Sequence, residues 1–596
     1  MKGNEIYKKI QIWRLRHMSE RTFVWILSVL VGLCAGLAAV VLKRSVHFVN
    51  HILLQYGIPT FVGGNLLILI YPAIGILLTI LFVKLVIKGP IGHGLPAVLL
   101  AISRKKNYLH PRNMYSSLVA SIITVAFGGS VGLEAPIAST GSAIGSNIGR
   151  FFRLSQQNVK MLIGCGAAGA IAGIFNAPIA GVLFVVEVFL FDLSHTSAIS
   201  LLLSSVSASA LAYFFMGTDA RFAFTVMEGF EISQIPFYII LGIFCAFASI
   251  YFLRVTESIE GWFARFKSPW TRLCIGGLLL GIMIFLFPPL FGEGYSSLTS
   301  LLHSDSSSLF EHSIFSSLSS NTWCVLGMIL LLVLLKAVAT ATTIGCGGVG
   351  GTFGPSLILG GLSGYFVAML LNQLGLPQQS EANFALVGMA AVMTGVMHAP
   401  FMAVLLIAEI TGGYDLMAPL LLTSAVSYVV VTPFENHSIY AKKLAEQGNL
   451  LTHDKDQSAW QLINMRKLIE TNFGTVRQGG KLRDLVEAIQ NSSRNIFPVL
   501  DEQDRFLGYI NLDDVRKIIF CPELYDTTTI EELMQRCQEG DTVCLSDSPQ
   551  DVVEKFRNSD RYNLVVLDDD GSYVGFLSRA NLFSAYRRFV RDVSEE

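Results

Sequence analysis

The stretch GGSVGLEAPIASTGSAIGSNIGR, Gly128 to Arg150, sets one carboxylate, Glu134, among glycines, small residues and a proline. An acid in so apolar a span costs about 2.5–3.5 kcal/mol at a bilayer centre on insertion scales, and so it faces a cavity or a partner. The glycines permit irregular backbone and close approach. Pro136 suits a helix that begins near residue 135, because its missing N–H falls in the first turn. Such a helix start carries about half a positive charge and free amides, so the chemistry on offer is anion binding beside a titratable carboxylate. The competing reading is a Gly-rich packing segment with a salt-bridged glutamate. A second stretch, GGVGGTFGP from Gly347 to Pro355, repeats the leading glycines and the final proline, with Phe353 where the first has Glu134.

Helices must carry these loops, and the composition says where they run. The 596 residues are 52% hydrophobic and 15% charged, with a mean hydropathy of +0.54, which describes a multi-pass membrane protein in a lipid bilayer. Apolar runs continue to about Val431. First spans are expected at Thr22–Val41 and Leu66–Val86. The basic residues before Thr22 suggest a cytoplasmic interfacial helix over residues 1–21, and Lys88, Arg104, Lys105 and Lys106 return the chain to the cytoplasm. The Ser-rich segment Ser296 to Asn321 has no Lys or Arg and reads as an external loop. NAPIAGVLFVVEV (Asn176 to Val188) matches HAPFMAVLLIAEI (His398 to Ile410), and the offset resembles that of the Gly-rich loops, so the span 22–434 divides into repeats of about 22–220 and 235–434. If the repeats are inverted, their broken helices meet near the bilayer midplane and both loops face one anion site.

From about Asn436 the chain turns charged. IFPVLDEQDRFLGYINLDDV (Ile496 to Val515) recurs as YNLVVLDDDGSYVGFLSRANL (Tyr562 to Leu582), each preceded by an amphipathic helix. Two small α/β units are expected, 471–525 and 526–596, after a linker over 435–470. A plain dimerisation or stabilising module and a ligand sensor are equally open. The nine cysteines are scattered, without metal-ligand spacing, and no metal site or nucleic-acid footprint is expected. No nucleophile with a base is visible, so an enzyme is not expected.

Four stretches in order resemble the CLC family of chloride channels and chloride/proton exchangers, and the tail resembles a tandem pair of CBS domains. GHGLP (Gly92 to Pro96) is similar to the GSGIP loop, GLEAP (Gly132 to Pro136) to GREGP, and GTFGP (Gly351 to Pro355) to GxFxP, while Tyr440 falls on the family's late tyrosine. The fold implied is a polytopic α-helical membrane protein of two inverted repeats with broken helices, plus a cytoplasmic α/β CBS pair. The resemblance implies Glu134 as the gating glutamate. It implies chloride binding at His93, Gly132, the amides of Thr352 and Phe353, and the Tyr440 hydroxyl, with a homodimer in the plasma or inner membrane and the N-terminus cytoplasmic.

This chain departs from the family pattern at several positions. His93 replaces the serine hydroxyl, so a ring N–H, the backbone alone or a packing role stand open. Leu133 and Ala135 flank Glu134 in place of Arg and Gly, which implies altered gating. Val188 occupies the place of the exchangers' internal proton glutamate and cannot carry a proton. Its neighbour Glu187 recurs as Glu409, which suggests capping or packing. Of the adenine-nucleotide pattern, the first CBS unit keeps Asp514 and the second keeps Ser578. The expected function is passive, voltage- or pH-gated chloride passage. The alternatives are a chloride/proton antiporter with another proton route, a cation-coupled organic anion carrier, and a membrane-anchored nucleotide sensor.

Overall fold

The computed structural model describes residues 17–55, 66–89, 94–103, 108–191, 194–217, 230–303, 305–311, 313–445, 465–537, 541–559, 561–568 and 570–594. His93, the basic residues 104–106 and most of the expected N-terminal helix lie outside these. The chain forms two units, Met1–Leu450 and Leu451–Glu596.

The first unit is helical: α1 (Glu20–Gln55), α2 (Tyr71–Phe82), α3 (Leu95–Ser103), α4 (Asn113–Ala126), α5 (Glu134–Phe151), α6 (Gln156–Phe175), α7 (Pro178–Val188), α8 (His195–Met216), α9 (Ile235–Ala264), α10 (Pro269–Leu286), α11 (Tyr295–Leu302), α12 (Thr322–Gly345), α13 (Phe353–Gln373), α14 (Glu381–Met397), α15 (Pro400–Thr411), α16 (Met417–Val431) and α17 (Ile439–Ala445). Among the described residues, seven helices are long and apolar enough to cross a membrane, and six apolar helical segments are shorter. The first expected span proves longer, running to Gln55. The second is broken into a 3-10 turn at Leu66–Leu69, α2, and a widened turn over Val83–Ile87. Nor is Ser296–Asn321 a plain loop. It holds most of α11 and 3-10 turns at Ser307–Phe310 and Ser316–Leu318, with Leu298, Leu301, Leu302, Leu309 and Phe310 buried.

Both repeats are built by the same devices. Asn176 ends α6 and His398 ends α14 in the left-handed conformation, each with φ 55°. The Ala–Pro that follows then opens α7 or α15 with proline at N1, where no amide is lost. Helices α5 and α6 touch backbone to backbone: a Cβ at Gly166 would lie 1.9 Å from the Gly141 carbonyl oxygen. In the second repeat, a Cβ at Gly360 would lie 2.4 Å from the Gly388 carbonyl oxygen, between α13 and α14. Small-residue contacts of this kind let apolar helices pack where lipid supplies no hydrophobic drive.

In the second unit, β2 (Val476–Arg477) pairs parallel with β3 (Ile496–Leu500), which pairs antiparallel with β4 (Phe506–Asn511). Likewise β5 (Thr542–Cys544), β6 (Asn563–Leu567) and β7 (Tyr573–Ser578) repeat this order, and both hairpins shift register at the same place, Val499/Leu500 and Val566/Leu567. Two amphipathic helices, α18 (Leu482–Gln490) and α19 (Pro549–Asn558), precede the hairpins as expected. Residues 469–470, within the expected linker, instead form β1, which pairs antiparallel with β7 and so belongs to the later sheet.

Close packing of α5 on α6 can be tested directly. Gly166→Val places atoms inside the van der Waals distance of the Gly141 carbonyl, so it should abolish a monodisperse detergent-solubilised peak. Gly327→Ala, which meets open space on α12, should match or exceed the parent's melting temperature.

Candidate functional site at the paired Gly-rich loops

Reciprocal backbone contacts hold the two loops together. Gly132 N–H donates to the Gly351 carbonyl at 2.8 Å, and Gly351 N–H donates to the Gly132 carbonyl at 2.8 Å. Behind them, the Ser130 amide donates to the Thr343 hydroxyl at 3.2 Å, and the Val349 amide to the Thr124 hydroxyl at 3.0 Å. Each threonine belongs to one repeat and holds the loop of the other. A third exchange links α7 to α15. Glu187 accepts the amides of Phe401 and Met402, and Glu409 accepts those of Ile179 and Ala180. Capping is therefore what Glu187 does here, a carboxylate laid on the amides of a helix start. All three exchanges are what a twofold relation between the repeats produces.

This pairing sets the first turns of α5 and α13 against each other. Glu134 is 1% exposed. Its Oε2 accepts the Gly354 amide at 3.1 Å, and its Oε1 accepts the Tyr295 hydroxyl at 2.8 Å. The carboxylate thus occupies the N-terminus of α13, a place where amides and dipole favour negative charge. Two glycines make room for it: a Cβ at Gly132 would come within 2.1 Å of Oε2, and one at Gly354 within 2.9 Å of Oε1.

The first turn of α5 separates two cavities. One, of about 340 Å³, is lined by Lys43, His47, Leu133, Glu134, Glu293 and Tyr295. The other, of about 130 Å³, is lined by Gly94, Ala135, Pro136, Gly351, Thr352 and Tyr440. Tyr440 is buried on α17, and its hydroxyl accepts from the Thr352 hydroxyl at 3.5 Å. Glu435 secures the approach to α17, pairing with Arg254 of α9 and with Lys442, each at 3.1 Å. Burial alone pushes the Glu435 carboxyl up, but hydrogen bonds from Arg254 and Lys442 prevail and hold it below the usual carboxylate range.

Glu134, Gly132, Thr352 and Tyr440 are thus gathered about one short stretch of space. Phe353 contributes its place in the first turn of α13, while its ring is buried against Phe175 and Phe184. Val188 is buried at the end of α7 and lines neither cavity. Sequence reasoning missed Tyr295, which sits at the head of the supposed loop. The available signal was GEGY, Gly292 to Tyr295, an acid and a phenol between glycines at the end of an apolar run. In the second unit, a cavity of about 420 Å³ between the two hairpins is lined by Asn511, Asp513, Asp541 and Arg561, among others. Asp514 instead accepts from Gln535 at 2.8 Å, and Ser578 ends β7. Neither lines the cavity.

A family model described as voltage gated chloride channel matches residues 75–432, which is more than half of the chain. The chain belongs to the voltage gated chloride channel family. CBS domain models match residues 465–520 and 525–588. Helical repeats of the CLC transporter fold followed by CBS domains thus account for both units. The chain is 32% identical over 355 residues to a ClcB-like chloride channel protein of Ralstonia nicotianae, covering 58% of this chain and 78% of that protein. It is 25% identical over 438 residues to the H(+)/Cl(-) exchange transporter ClcA of Vibrio cholerae, covering 71% and 89%. Among solved structures it resembles a slow cyanobacterial Cl-/H+ antiporter, with a TM-score of 0.59 at 25% identity over 72% of this chain and 98% of that one.

Tyr295→Phe removes the side-chain donor that holds the Glu134 carboxylate. A hydrogen bond to a charged acceptor contributes roughly 1.5–3 kcal/mol. Because the bond favours the ionised, seated glutamate, its loss should move the pH of half-maximal anion flux in liposomes upward, and an unchanged profile would deny Tyr295 this role.

Proposed function

We propose that this protein conducts chloride across a membrane along the line of the two cavities, with Glu134 as the gate between them. The observation that carries the reading is the seat of Glu134: its carboxylate lies on the Gly354 amide at the convergence of two helix starts. A carboxylate and a chloride need the same donors, so the tethered anion and the free one compete for the place. When Glu134 is protonated it becomes a poor occupant of a positive site, and an anion takes over the amides. Thr352, Phe353, Gly132 and Tyr440 then serve as the chloride ligands, by main-chain amides and the phenolic hydroxyl. A homodimer in the plasma or inner membrane, with the N-terminus and CBS pair on the cytoplasmic side, completes the reading and rests on the family.

Passive conduction is favoured over strict exchange by α7. Val188 offers no proton acceptor, and the neighbouring Glu187 is engaged by two amides of α15. The exchanger reading has its own support in the names of two of the relatives, the Vibrio cholerae transporter and the cyanobacterial antiporter. Under that reading a proton would need a route that avoids Val188. A nucleotide role for the CBS pair is supported by the cavity between its hairpins, whose acidic lining includes Asp513 and not Asp514.

Two measurements check these statements. In proteoliposomes recorded for chloride and proton together, Glu134→Gln should retain chloride flux and remove its pH response, while the parent protein should move chloride without a fixed proton ratio. Stoichiometric proton pumping by the parent would defeat the passive reading, and a Glu134→Gln profile identical to the parent's would defeat the gate. Calorimetric titration of the full-length protein with ATP should show binding that Asp513→Ala weakens at least several-fold. A flat titration of the parent would remove nucleotide from the account.

A further inference from the structure

The cavity of about 340 Å³ has a second carboxylate in its wall, Glu293. It lies in the connection from α10 to α11, between two glycines in the left-handed region, Gly292 at φ 61° and Gly294 at φ 95°. A buried lysine of α12 fixes this connection: Lys336 Nζ donates to the Gly292 carbonyl at 3.1 Å, the Glu293 carbonyl at 2.8 Å and the Ser130 hydroxyl at 2.9 Å. Since Ser130 belongs to the first Gly-rich loop, the same ammonium ties Glu293 to the base of the gate. The side chain completes the link, for Glu293 Oε1 accepts the amide of Leu133 at 3.3 Å. Leu133 is the residue before Glu134 and caps the start of α5. One carboxylate therefore covers the start of α13 and another covers the start of α5, and both line the same cavity.

The charged and titratable groups around them come from three helices. Lys43 and His47 of α1 line the cavity, Tyr295 of α11 holds Glu134, and Lys336 of α12 holds the Glu293 backbone. Two carboxyls confined together titrate as a pair and exchange protons through whatever connects them. Lys43 and Lys336 offset their negative charge.

We propose that Glu293 is a second working carboxyl of the gate, passing protons between the cavity and Glu134. This rests on Glu134 being the gate. In the step, neutral Glu293 gives its proton through water in the cavity to the Glu134 carboxylate. Glu134 becomes the neutral acid and leaves the Gly354 amide to an arriving anion. Glu293 becomes the carboxylate and regains a proton from hydronium in the solution entering the cavity, which leaves water. One O–H bond is broken and one formed at each transfer, and no electrons change hands.

The test is the initial rate of chloride efflux from liposomes over a range of pH for the parent, Glu293→Gln, Glu293→Asp and Glu134→Gln. Glu293→Gln removes the carboxyl that hands its proton to Glu134 and, with it, the negative charge that faces neutral Glu134 once the proton has passed, so a proton on Glu134 is easier to lose and more acid is needed to open the gate. Its half-activating pH should fall by about one unit or more, with the rate at the acid extreme kept. Glu293→Asp should return the profile toward the parent's. If Glu293→Gln overlays the parent while Glu134→Gln abolishes the pH response, the proposal fails and the gate stands. If Glu134→Gln leaves the pH response intact, the gate itself fails and the proposal with it. A loss of flux at every pH that Glu293→Asp does not restore would make Glu293 structural only and overturn the proposal.

Discussion

The pair of hydrogen bonds between Gly132 and Gly351 is the constraint on which the site depends. Two short loops from distant parts of the chain can exchange backbone hydrogen bonds in this way only if neither carries a side chain at the contact. A Cβ at Gly351 would sit 2.7 Å from the Ala135 methyl carbon, and one at Gly132 would collide with the Glu134 carboxylate. Once the loops are joined, the first turns of α5 and α13 must face one another. Their amides then share one small volume, and the positive ends of two helices add there. The threonine exchange behind the loops and the glutamate exchange between α7 and α15 repeat the same twofold relation at increasing distance from the site.

Function arises where this symmetry is broken. Glu134 has Phe353 as its counterpart, so one repeat supplies a titratable anion and the other a buried ring. The carboxylate reaches across to the Gly354 amide of the opposite repeat. Tyr295 and Glu293 come from a connection that the pairing does not duplicate, and Lys336 pins that connection to the first loop. The scaffold is thus nearly symmetric, whereas the proposed gate and the side chains around it are not duplicated. An anion site made of main-chain amides is well suited to such a division, because amides survive sequence divergence between repeats and leave single side chains free to set the gating.

Much of this was legible in the residues. The duplicated Gly-rich loops and the NAP and HAP breaks announced the repeats, since glycine, left-handed residues and N1 proline each have a local reason to be where they are. The hairpins of the tail were equally plain, and their register shifts, at Val499/Leu500 and Val566/Leu567, fall at matching places in the two copies. What escaped notice depended on distance in sequence. Tyr295 reaches Glu134 across 161 residues, and a Ser-rich neighbourhood without Lys or Arg gave it the look of an external loop. Asp514 matched a spacing pattern, yet at the end of β4 the chain turns Asp513 toward the cavity and leaves Asp514 to Gln535. Strand β1 was hidden for a similar reason, as its partner, β7, lies more than one hundred residues further on.

The central claim is that the Glu134 carboxylate and a transported anion compete for the amides at the start of α13. A crystal structure of the Glu134→Ala protein grown or soaked with bromide measures this directly, because bromide can be located by its anomalous scattering. The account predicts a bromide within hydrogen-bonding distance of the Gly354 amide, where the carboxylate oxygen had been. Bromide absent from the paired loops, in a variant that still passes chloride in liposomes, would contradict it.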